Sequence, residues 1–277
     1  MAGRRKRVPK AGRLITADGG LGFDLKWDMG WMHDTLDYFA RRPEWRGTHR
    51  HRITFRGIYL RTERWVLPLS HDEVVHLKRS LLGKMPGGPP ERFASLRSLL
   101  ANQIGQPGKK LLFMGSELAP AGEWNHDLEL PWQAVARDSL RTRLARFVID
   151  LGALYRASPA LWEGDDDPAG FTWIDIGDGD GTTFAWLRRG ALPGGDSDLV
   201  VIVQNLGARA RRRYWLGLPV EGPWRVAIDT DDRRYGGEGA GWRQPIAAVA
   251  VPFGGMPASA VISLPAFGTL FLRPATD

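Results

Sequence analysis

A cluster of ionisable side chains follows a short apolar run in the first third of the chain. The run from Leu67 to Ser70 leads directly into His71, Asp72 and Glu73, and His76 follows. Imidazole and carboxylate groups serve in acid–base, electrostatic and metal chemistry. Catalytic groups of α/β barrels lie where strands end, so this position is informative in itself. We therefore predict a functional site at the end of this run.

A metal site is one alternative for the same cluster. His71 and His76 are five positions apart, whereas two imidazoles on one helical face need a spacing of four, and Glu73 is one position away from the zinc-protease pattern. The sequence also has no cysteine, which excludes thiolate ligands, disulfides and a thiol nucleophile. We therefore predict neither a metal nor a cofactor.

Tryptophan is unusually frequent, with 12 residues in 277. Several lie beside polar neighbours, as in the segments 26–28, 30–31, 123–125 and 131–132. An amphipathic ring flanked by hydrogen-bonding groups suits the face of a sugar, although packing in cores and interfaces must account for most of the twelve. Composition thus gives a first indication of carbohydrate.

Charge and hydropathy bear on whether the protein binds nucleic acid or a membrane. The net charge is +7, but the basic residues are mostly arginines spread along the whole chain rather than gathered on one face, so we predict no nucleic-acid partner. Residues 1–10 are basic and are interpreted as a solvated tail, since no apolar stretch of signal-peptide length follows them. No run of about 20 apolar residues predicts a membrane span. We expect a cytoplasmic protein with no membrane partner.

The elements that must position the cluster alternate between strands and helices up to about residue 158. Apolar runs at 64–70 and 109–115 predict buried strands, and apolar residues at helical spacing predict a helix over 90–102 between them and another over 138–156. This pattern is typical of parallel α/β architecture. After an acidic, turn-rich segment at 163–170, short β-prone runs predict an all-β sandwich: 171–176, 182–187, 198–204, 224–228, 260–264 and 268–273.

Four motifs in order carry a resemblance to a known family. They are Gly19-Gly-Leu-Gly-Phe-Asp-Leu-Lys-Trp-Asp-Met-Gly-Trp-Met-His-Asp34, Val66-Leu-Pro-Leu-Ser-His-Asp-Glu-Val-Val-His76, Pro107-Gly-Lys-Lys-Leu-Leu-Phe-Met-Gly-Ser-Glu117 and Glu123-Trp-Asn-His-Asp127. Further matches follow at 167–173, 235–237 and 263–270. With these motifs and matches, the chain resembles the glycogen branching enzymes of the alpha-amylase family from about residue 17 onward.

The resemblance implies an α/β fold: the C-terminal part of a (β/α)₈ TIM barrel, strands six to eight, followed by an all-β sandwich. The three strands are expected near 22–26, 66–69 and 111–114. The expected domains are a disordered basic tail at 1–16, a partial catalytic barrel at 17–160, and a C-terminal β-sandwich of the alpha-amylase type at 161–277.

The resemblance also implies an activity and a set of site residues. A branching enzyme cuts an α-1,4 bond of a glucan such as glycogen or amylose, and transfers the released segment to a 6-hydroxyl as an α-1,6 branch. Asp72 corresponds to the transition-state-stabilising aspartate, and His71 to the histidine before it that holds sugar hydroxyls. Residues expected to bind substrate are Lys26, Trp27, Trp31, Glu73, Glu117, Trp124 and Asn125.

The family's nucleophile Asp and acid/base Glu belong to strands four and five, which the matched motifs do not include. Retaining chemistry needs two such carboxylates about 5 Å apart. We therefore expect the C-terminal portion of an enzyme from a split, truncated or misannotated gene, inactive alone and partnered with the missing N-terminal half. The alternatives are a non-catalytic glucan-binding or interaction module and, more distantly, a trehalose-forming hydrolase.

Three positions depart from the family pattern. Asp28 stands where the family usually has Asn, Leu77 replaces a Gly, and Leu118 replaces a Phe. We expect the added charge of Asp28 beside the sugar site to weaken binding.

Overall fold

The computed structural model describes residues 22–179, 181–192, 197–240 and 245–275. The predicted tail at 1–16 and the first residues of the first motif lie outside these ranges.

The first part of the chain contains a three-stranded parallel sheet in the order β1–β2–β3. The strands are β1 (Lys26–Trp27), β2 (Trp65–Leu69) and β3 (Lys109–Leu112). Leu67 pairs with Lys110 and Leu69 with Leu112, so β2 and β3 run side by side and end together. All five residues of β2 are buried, which is expected of a central parallel strand covered on both faces. The predicted parallel arrangement is confirmed.

Seven α-helices accompany the described strands, and the two longest are the two that the sequence predicts. Helix α5 buries Phe93, Leu96, Leu99 and Leu100, the apolar stripe that identified it. Helix α7 begins after Asp138, whose carboxylate accepts the backbone N–H of Leu140 as an N-cap. The helices are α1 (Met29–Ala40), α2 (Pro43–Arg46), α3 (His51–Thr54), α4 (Leu81–Lys84), α5 (Pro89–Gly105), α6 (Trp132–Arg137) and α7 (Ser139–Ala157).

In the described residues of the second part, strands and short 3₁₀ turns are the regular elements, and all the strand pairs are antiparallel, which confirms the all-β prediction. A six-stranded sheet in the order β4–β5–β6–β11–β8–β9 faces a two-stranded sheet of β7 and β10. Its strands are β4 (Phe171–Asp178), β5 (Thr183–Ala191), β6 (Ser197–Asn205), β7 (Arg211–Leu218), β8 (Gly222–Asp229), β9 (Ile246–Ala248), β10 (Ala258–Leu264) and β11 (Gly268–Pro274).

Three strands differ from the sequence prediction, and only α5 and α7 of the seven described helices were predicted. The first strand was expected near 22–26 but is the two-residue β1, because Asp28 already caps helix α1. Strand β7 was not predicted, since three consecutive arginines open it, yet Tyr214, Leu216 and Leu218 alternate inward from it. Strand β9 is only three residues long and was also missed.

One apolar core joins the two parts of the molecule. It runs from Leu67 of β2 through Leu99 of α5 to Trp186 and Ile202 of the larger β-sheet. A second core, which includes Leu187 and Leu216, fills the space between the two β-sheets.

Buried polar side chains also join helix α5 to the sandwich. Asn102 Nδ2 donates to Gln204 Oε1 at 2.7 Å, Ser98 Oγ donates to the Phe267 carbonyl at 2.5 Å, and Arg97 Nε donates to the Thr230 carbonyl at 2.6 Å. Because buried polar groups are costly without partners, these bonds fix how α5 lies against the strands.

Within the described residues, no helix is long and apolar enough to cross a membrane.

Candidate functional site

His71 and Asp72 lie in a single 3₁₀ turn directly after β2. His71 Nε2 is 3.3 Å from Asp72 Oδ1, and the buried Ser70 hydroxyl donates to Asp72 Oδ2 at 3.3 Å. The two side chains remain 51% and 45% exposed, respectively. The carboxyl ends of parallel strands therefore present an accessible imidazole–carboxylate pair, as the sequence predicts for this edge of the sheet.

An aromatic stack connects this pair to the loop after β3. The His71 ring lies 5.7 Å from the ring of Phe113, and Phe113 packs edge-to-face on Trp124 at 5.1 Å. The backbone N–H of Trp124 donates to the Val74 carbonyl at 2.9 Å, which joins the two loops directly. Trp124 and His71 thus belong to one side-chain cluster, with Phe113 between them.

Glu123 fixes the backbone of the loop that follows the pair. Its carboxylate accepts the N–H of Leu77 at 3.0 Å and the N–H of Arg79 at 2.6 Å. His76, Leu77 and Arg79 all have positive φ, at 55°, 66° and 68°, a conformation that costs a non-glycine residue free energy. The Glu123 carboxylate offsets part of that cost by binding the two donors.

A cavity of about 290 Å³ opens between the two loops. Most of its wall is apolar, and Trp124, Glu123 and Asn125 add polar groups to it. A mainly apolar cavity with a few polar groups is the usual form of a small-molecule site. Its other lining residues are Val74, Leu81, Met114, Gly115, Ser116, Pro120, Ala121, Gly122, Leu128, Glu129, Leu130 and Pro131.

Glu73 lies next to Asp72 in the chain but is engaged elsewhere. Its buried carboxylate is 3.0 Å from Lys78 Nζ and 3.8 Å from both Lys84 Nζ and His33 Nδ1. Burial lowers the pKa of Lys84, and the Glu73 carboxylate opposes that shift. Through these contacts Glu73 holds the loop after β2 to helix α1, by His33, and to helix α4, by Lys84.

The other residues predicted to bind substrate are scattered. Trp31 is only 3% exposed and packs in the core, so its indole is not available to a ligand in this structure. Lys26 is 3.6 Å from Glu63 and lies over the Trp65 ring. Trp27 is exposed, but it pairs with Val66, three residues before β2 ends, which is about 10 Å along the strand.

Glu117 and Asn125 lie after β3, on the same side of the sheet as the pair. Glu117 is partly exposed in a 3₁₀ turn. Asn125 is exposed, and its Oδ1 accepts the Asp127 N–H at 2.9 Å. The structure thus brings His71, Asp72, Glu117, Trp124 and Asn125 to one end of the sheet, and leaves Lys26, Trp31 and Glu73 in structural contacts.

The expectation that Asp28 adds charge at the sugar site is wrong, because the structure buries this side chain. Its side chain is 1% exposed, caps helix α1 by accepting the Trp31 N–H at 2.8 Å, and accepts Arg56 Nε at 2.6 Å and the Tyr59 hydroxyl at 3.1 Å. The charge is therefore matched by a buried guanidinium and is not presented to a ligand.

Phe113 is a site residue that the sequence analysis did not single out. It follows β3 directly, at the level where Ser70 follows β2, and its N–H donates to the Leu69 carbonyl. Its position at the end of a predicted strand was the sequence feature that could have identified it as a site residue. Among the described residues no group of three or more His, Cys, Asp or Glu could hold a metal ion.

Comparison with known proteins identifies one matching family model and several similar relatives. Residues 173–275 match the family described as "Alpha amylase, C-terminal all-beta domain". The chain is 47% identical over 258 residues to the 1,4-alpha-glucan branching enzyme GlgB of Frankia casuarinae, a match that covers 93% of this chain and 31% of that protein. It is also 47% identical to the GlgB of Cupriavidus necator, covering 93% of this chain and 34% of the relative.

Solved structures share the fold at low sequence identity. The crystal structure of AmyP in complex with maltose superimposes with a TM-score of 0.63 at 14% identity, covering 98% of this chain and 54% of that one. The apo pullulanase of Paenibacillus barengoltzii gives a TM-score of 0.60 at 18% identity, covering 90% of this chain and 38% of the pullulanase.

The extent of these matches defines the relationship. The chain spans about a third of the length of the branching enzymes it matches. By sequence it is similar to about a third of the 1,4-alpha-glucan branching enzymes, and its residues 173–275 match the alpha-amylase C-terminal all-beta domain.

Proposed function

We propose that this chain is the part of a glycogen branching enzyme that carries the transition-state-stabilising aspartate, Asp72, and its neighbour His71. The observation that carries the proposal is their accessible pairing at the carboxyl end of a buried parallel strand, within a sequence 47% identical to a branching enzyme. In this proposal β1, β2 and β3 are strands six, seven and eight of a (β/α)₈ barrel. Residues 17–160 then form part of the catalytic domain, and 161–277 form its C-terminal sandwich.

The chemistry follows from the two side chains. Cleavage of an α-1,4 bond passes through an oxocarbenium-like sugar, whose positive charge an ionised carboxylate stabilises. Asp72 would accept hydrogen bonds from ring hydroxyls of that sugar, and Ser70 orients the carboxylate by donating to Oδ2. His71 would donate to a neighbouring hydroxyl. The Phe113–Trp124 stack limits the movement of the imidazole.

The nucleophile and the acid/base carboxylates come, in this proposal, from polypeptide that supplies the other barrel strands. Glu73 and Glu123 of the neighbouring loops cannot replace them, because Glu73 is bound by lysines and Glu123 by backbone N–H groups. The partner is the N-terminal portion of such an enzyme, and the substrate is an α-1,4-glucan such as amylose or glycogen.

The test is reconstitution of branching. The chain is mixed with a polypeptide that holds the part of the Frankia casuarinae enzyme preceding the matched region, and new α-1,6 branches in amylose are counted after enzymatic debranching. We expect branching from the mixture, none from either polypeptide alone, and a loss of about a thousandfold or more with Asp72→Asn. A folded, associated mixture that forms no branches would refute the proposal.

A second candidate function is a non-catalytic glucan-binding module, favoured by the apolar cavity beside Trp124. Under this alternative the chain alone would be retained on immobilised amylose, and the mixture would bind glucan without forming branches.

A further inference from the structure

The loop at 74–79, which follows the His71–Asp72 pair, has a backbone conformation that its own residues do not favour. His76, Leu77 and Arg79 have φ values of 55°, 66° and 68°, and none of the three is a glycine. Leu77 is 95% exposed, so the packing of its side chain does not hold the loop in place. Contacts from outside the loop must therefore fix this conformation.

Two adjacent residues of the loop after β3 supply these contacts. The Trp124 N–H donates to the Val74 carbonyl at 2.9 Å. Glu123 Oε2 accepts the N–H of Leu77 at 3.0 Å, and Oε1 accepts the N–H of Arg79 at 2.6 Å. Each carboxylate oxygen thus binds one backbone donor, and hydrogen bonds to an ionised acceptor are stronger than those between neutral groups.

The lysine contacts on the other side of the loop cannot replace those of Glu123. Lys78 Nζ is 3.0 Å from the Glu73 carboxylate, but the Lys78 side chain is 45% exposed. A partly exposed ion pair at the end of a flexible four-carbon stem contributes little and does not set φ. Hydrogen bonds to the N–H groups of Leu77 and Arg79 act on the backbone itself. Glu123 is therefore the side chain that fixes the positive φ values.

The loop at 74–79 is connected to the His71–Asp72 pair by backbone and by side chains. The Val74 N–H donates to the His71 carbonyl at 3.0 Å, so the residue that Trp124 binds also closes the turn that carries the pair. On the side-chain route, the Trp124 ring contacts Phe113, and Phe113 contacts the imidazole of His71. A shift of the loop would therefore move the imidazole and the Asp72 carboxylate.

We propose that Glu123 is a positioning residue for the His71–Asp72 pair, which it acts on by fixing the loop at 74–79. The consequence for catalysis rests on the proposed function. Both oxygens of Glu123 are bound to backbone N–H groups, so Glu123 acts through the loop and not on the sugar. Its loss should lower turnover and leave glucan binding nearly unchanged, because small displacements of a catalytic group are costly in the transition state.

The first test needs no enzyme activity, because Lys78 and Arg79 are cleavage sites for trypsin within the loop. Glu123→Gln keeps the size of the side chain but has one oxygen for two N–H groups. We expect the variant to be cut after Lys78 or Arg79 about tenfold faster than the unmodified chain, as mass spectrometry of the fragments measures. Glu129→Gln changes an exposed carboxylate on the wall of the same cavity and is the matched control, with unchanged cleavage.

The second test measures turnover in the reconstituted mixture. Glu123→Gln should lower kcat for branching by about 10- to 100-fold and change KM for amylose less than about twofold, whereas Glu129→Gln should change neither. Circular dichroism and the thermal midpoint establish that the variants are folded. A merely structural role would lower the thermal midpoint and the amount of assembled enzyme, but not kcat per assembled complex.

The outcomes separate this inference from the proposed function. Unchanged cleavage of folded Glu123→Gln, or unchanged kcat, would overturn the positioning role. If the unmodified mixture forms no branches, the proposed function fails, and trypsin alone decides whether Glu123 fixes the loop. If Glu123→Gln does not fold, amide hydrogen exchange of the unmodified chain decides instead. The N–H groups of Leu77 and Arg79 should then exchange at least about tenfold more slowly than that of His76, and equal rates would overturn the inference.

Discussion

At Asp28 and Leu77 the sequence departs from the family pattern, and the structure shows where each of these side chains lies. The sequence shows that a charge and a large apolar residue replace smaller or neutral ones, but not where they lie. Asp28 is enclosed with Arg56, and Leu77 is 95% exposed with a φ of 66°. Burial of a charge depends on contacts between residues 28 positions apart, which no local pattern reports. The sequence did predict His71 and Asp72 as a pair, because adjacent residues at a strand end stay together.

Leu77→Gly should stabilise the protein by about 0.5–1 kcal/mol. A leucine with positive φ is strained, glycine adopts this conformation freely, and the exposed side chain loses no packing. Chemical denaturation of the unmodified chain and the variant measures the difference. Leu77→Ala is the control and should change little, since alanine keeps the Cβ. A Gly variant no more stable than the Ala variant would contradict the expectation.

Asp28→Ala should destabilise the fold by about 3–5 kcal/mol. The change removes the cap of α1 and leaves the buried Arg56 guanidinium without its carboxylate. Asp28→Asn keeps the capping oxygen and should cost less. The free energies of unfolding of the two variants test this order, and equal losses would show that the capping oxygen contributes nothing and that the lost charge accounts for the whole effect.

At the scale of elements, the sequence predicted the helices and strands whose apolar residues form one clear pattern. Helices α5 and α7 carry continuous apolar stripes, and β2 is apolar throughout. Strand β7 was missed because Arg211, Arg212 and Arg213 conceal the alternation that begins at Tyr214. Strand β1 was placed too early, because the sequence does not show that helix α1 begins immediately after it.

The end of β8 gives the fold a pH dependence. Burial raises the pKa of Asp229 to about 6 from 3.8, with Asp231 and Asp232 adding repulsion and Arg97 opposing it. Because the folded-state pKa lies above the unfolded value, this group stabilises the fold below about pH 4, and that contribution is lost as pH rises through 6. Asp229→Asn should therefore be more stable than the unmodified chain at pH 8, by about 1–3 kcal/mol, and similar to it at pH 4. Unfolding free energies that differ by the same amount at both pH values would contradict this assignment.

At the scale of the whole molecule, the parallel sheet of the described residues ends at β1 on one side and β3 on the other. Phe23, Leu25, Trp27 and Met29 are exposed at the β1 side. Open edges and exposed apolar side chains promote association. We expect the chain alone to self-associate as its concentration rises, and light scattering after size exclusion measures this. If the chain stays strictly monomeric across a hundredfold range of concentration, the exposed apolar side chains beside β1 do not form an association surface.

The shared core predicts a single unfolding transition. Leu99, Trp186 and Ile202 pack in one cluster, and Asn102 bonds to Gln204. The helical part and the sandwich should therefore melt together in differential scanning calorimetry. Asn102→Ala should lower the transition temperature of both parts equally. Two resolved transitions would instead show that the two parts unfold independently.

The bonds between α5 and the sandwich also bear on how the protein folds during synthesis. Ser98 and its acceptor Phe267 are 169 residues apart in the chain. At about 5–20 residues per second, roughly 10–30 s pass between the synthesis of the donor and that of the acceptor. During that interval α5 has emerged without the surface that satisfies its polar side chains and covers its apolar ones. A ribosome-bound chain arrested before β11 should therefore remain sensitive to protease within α5, and should become resistant only when the last strand is available.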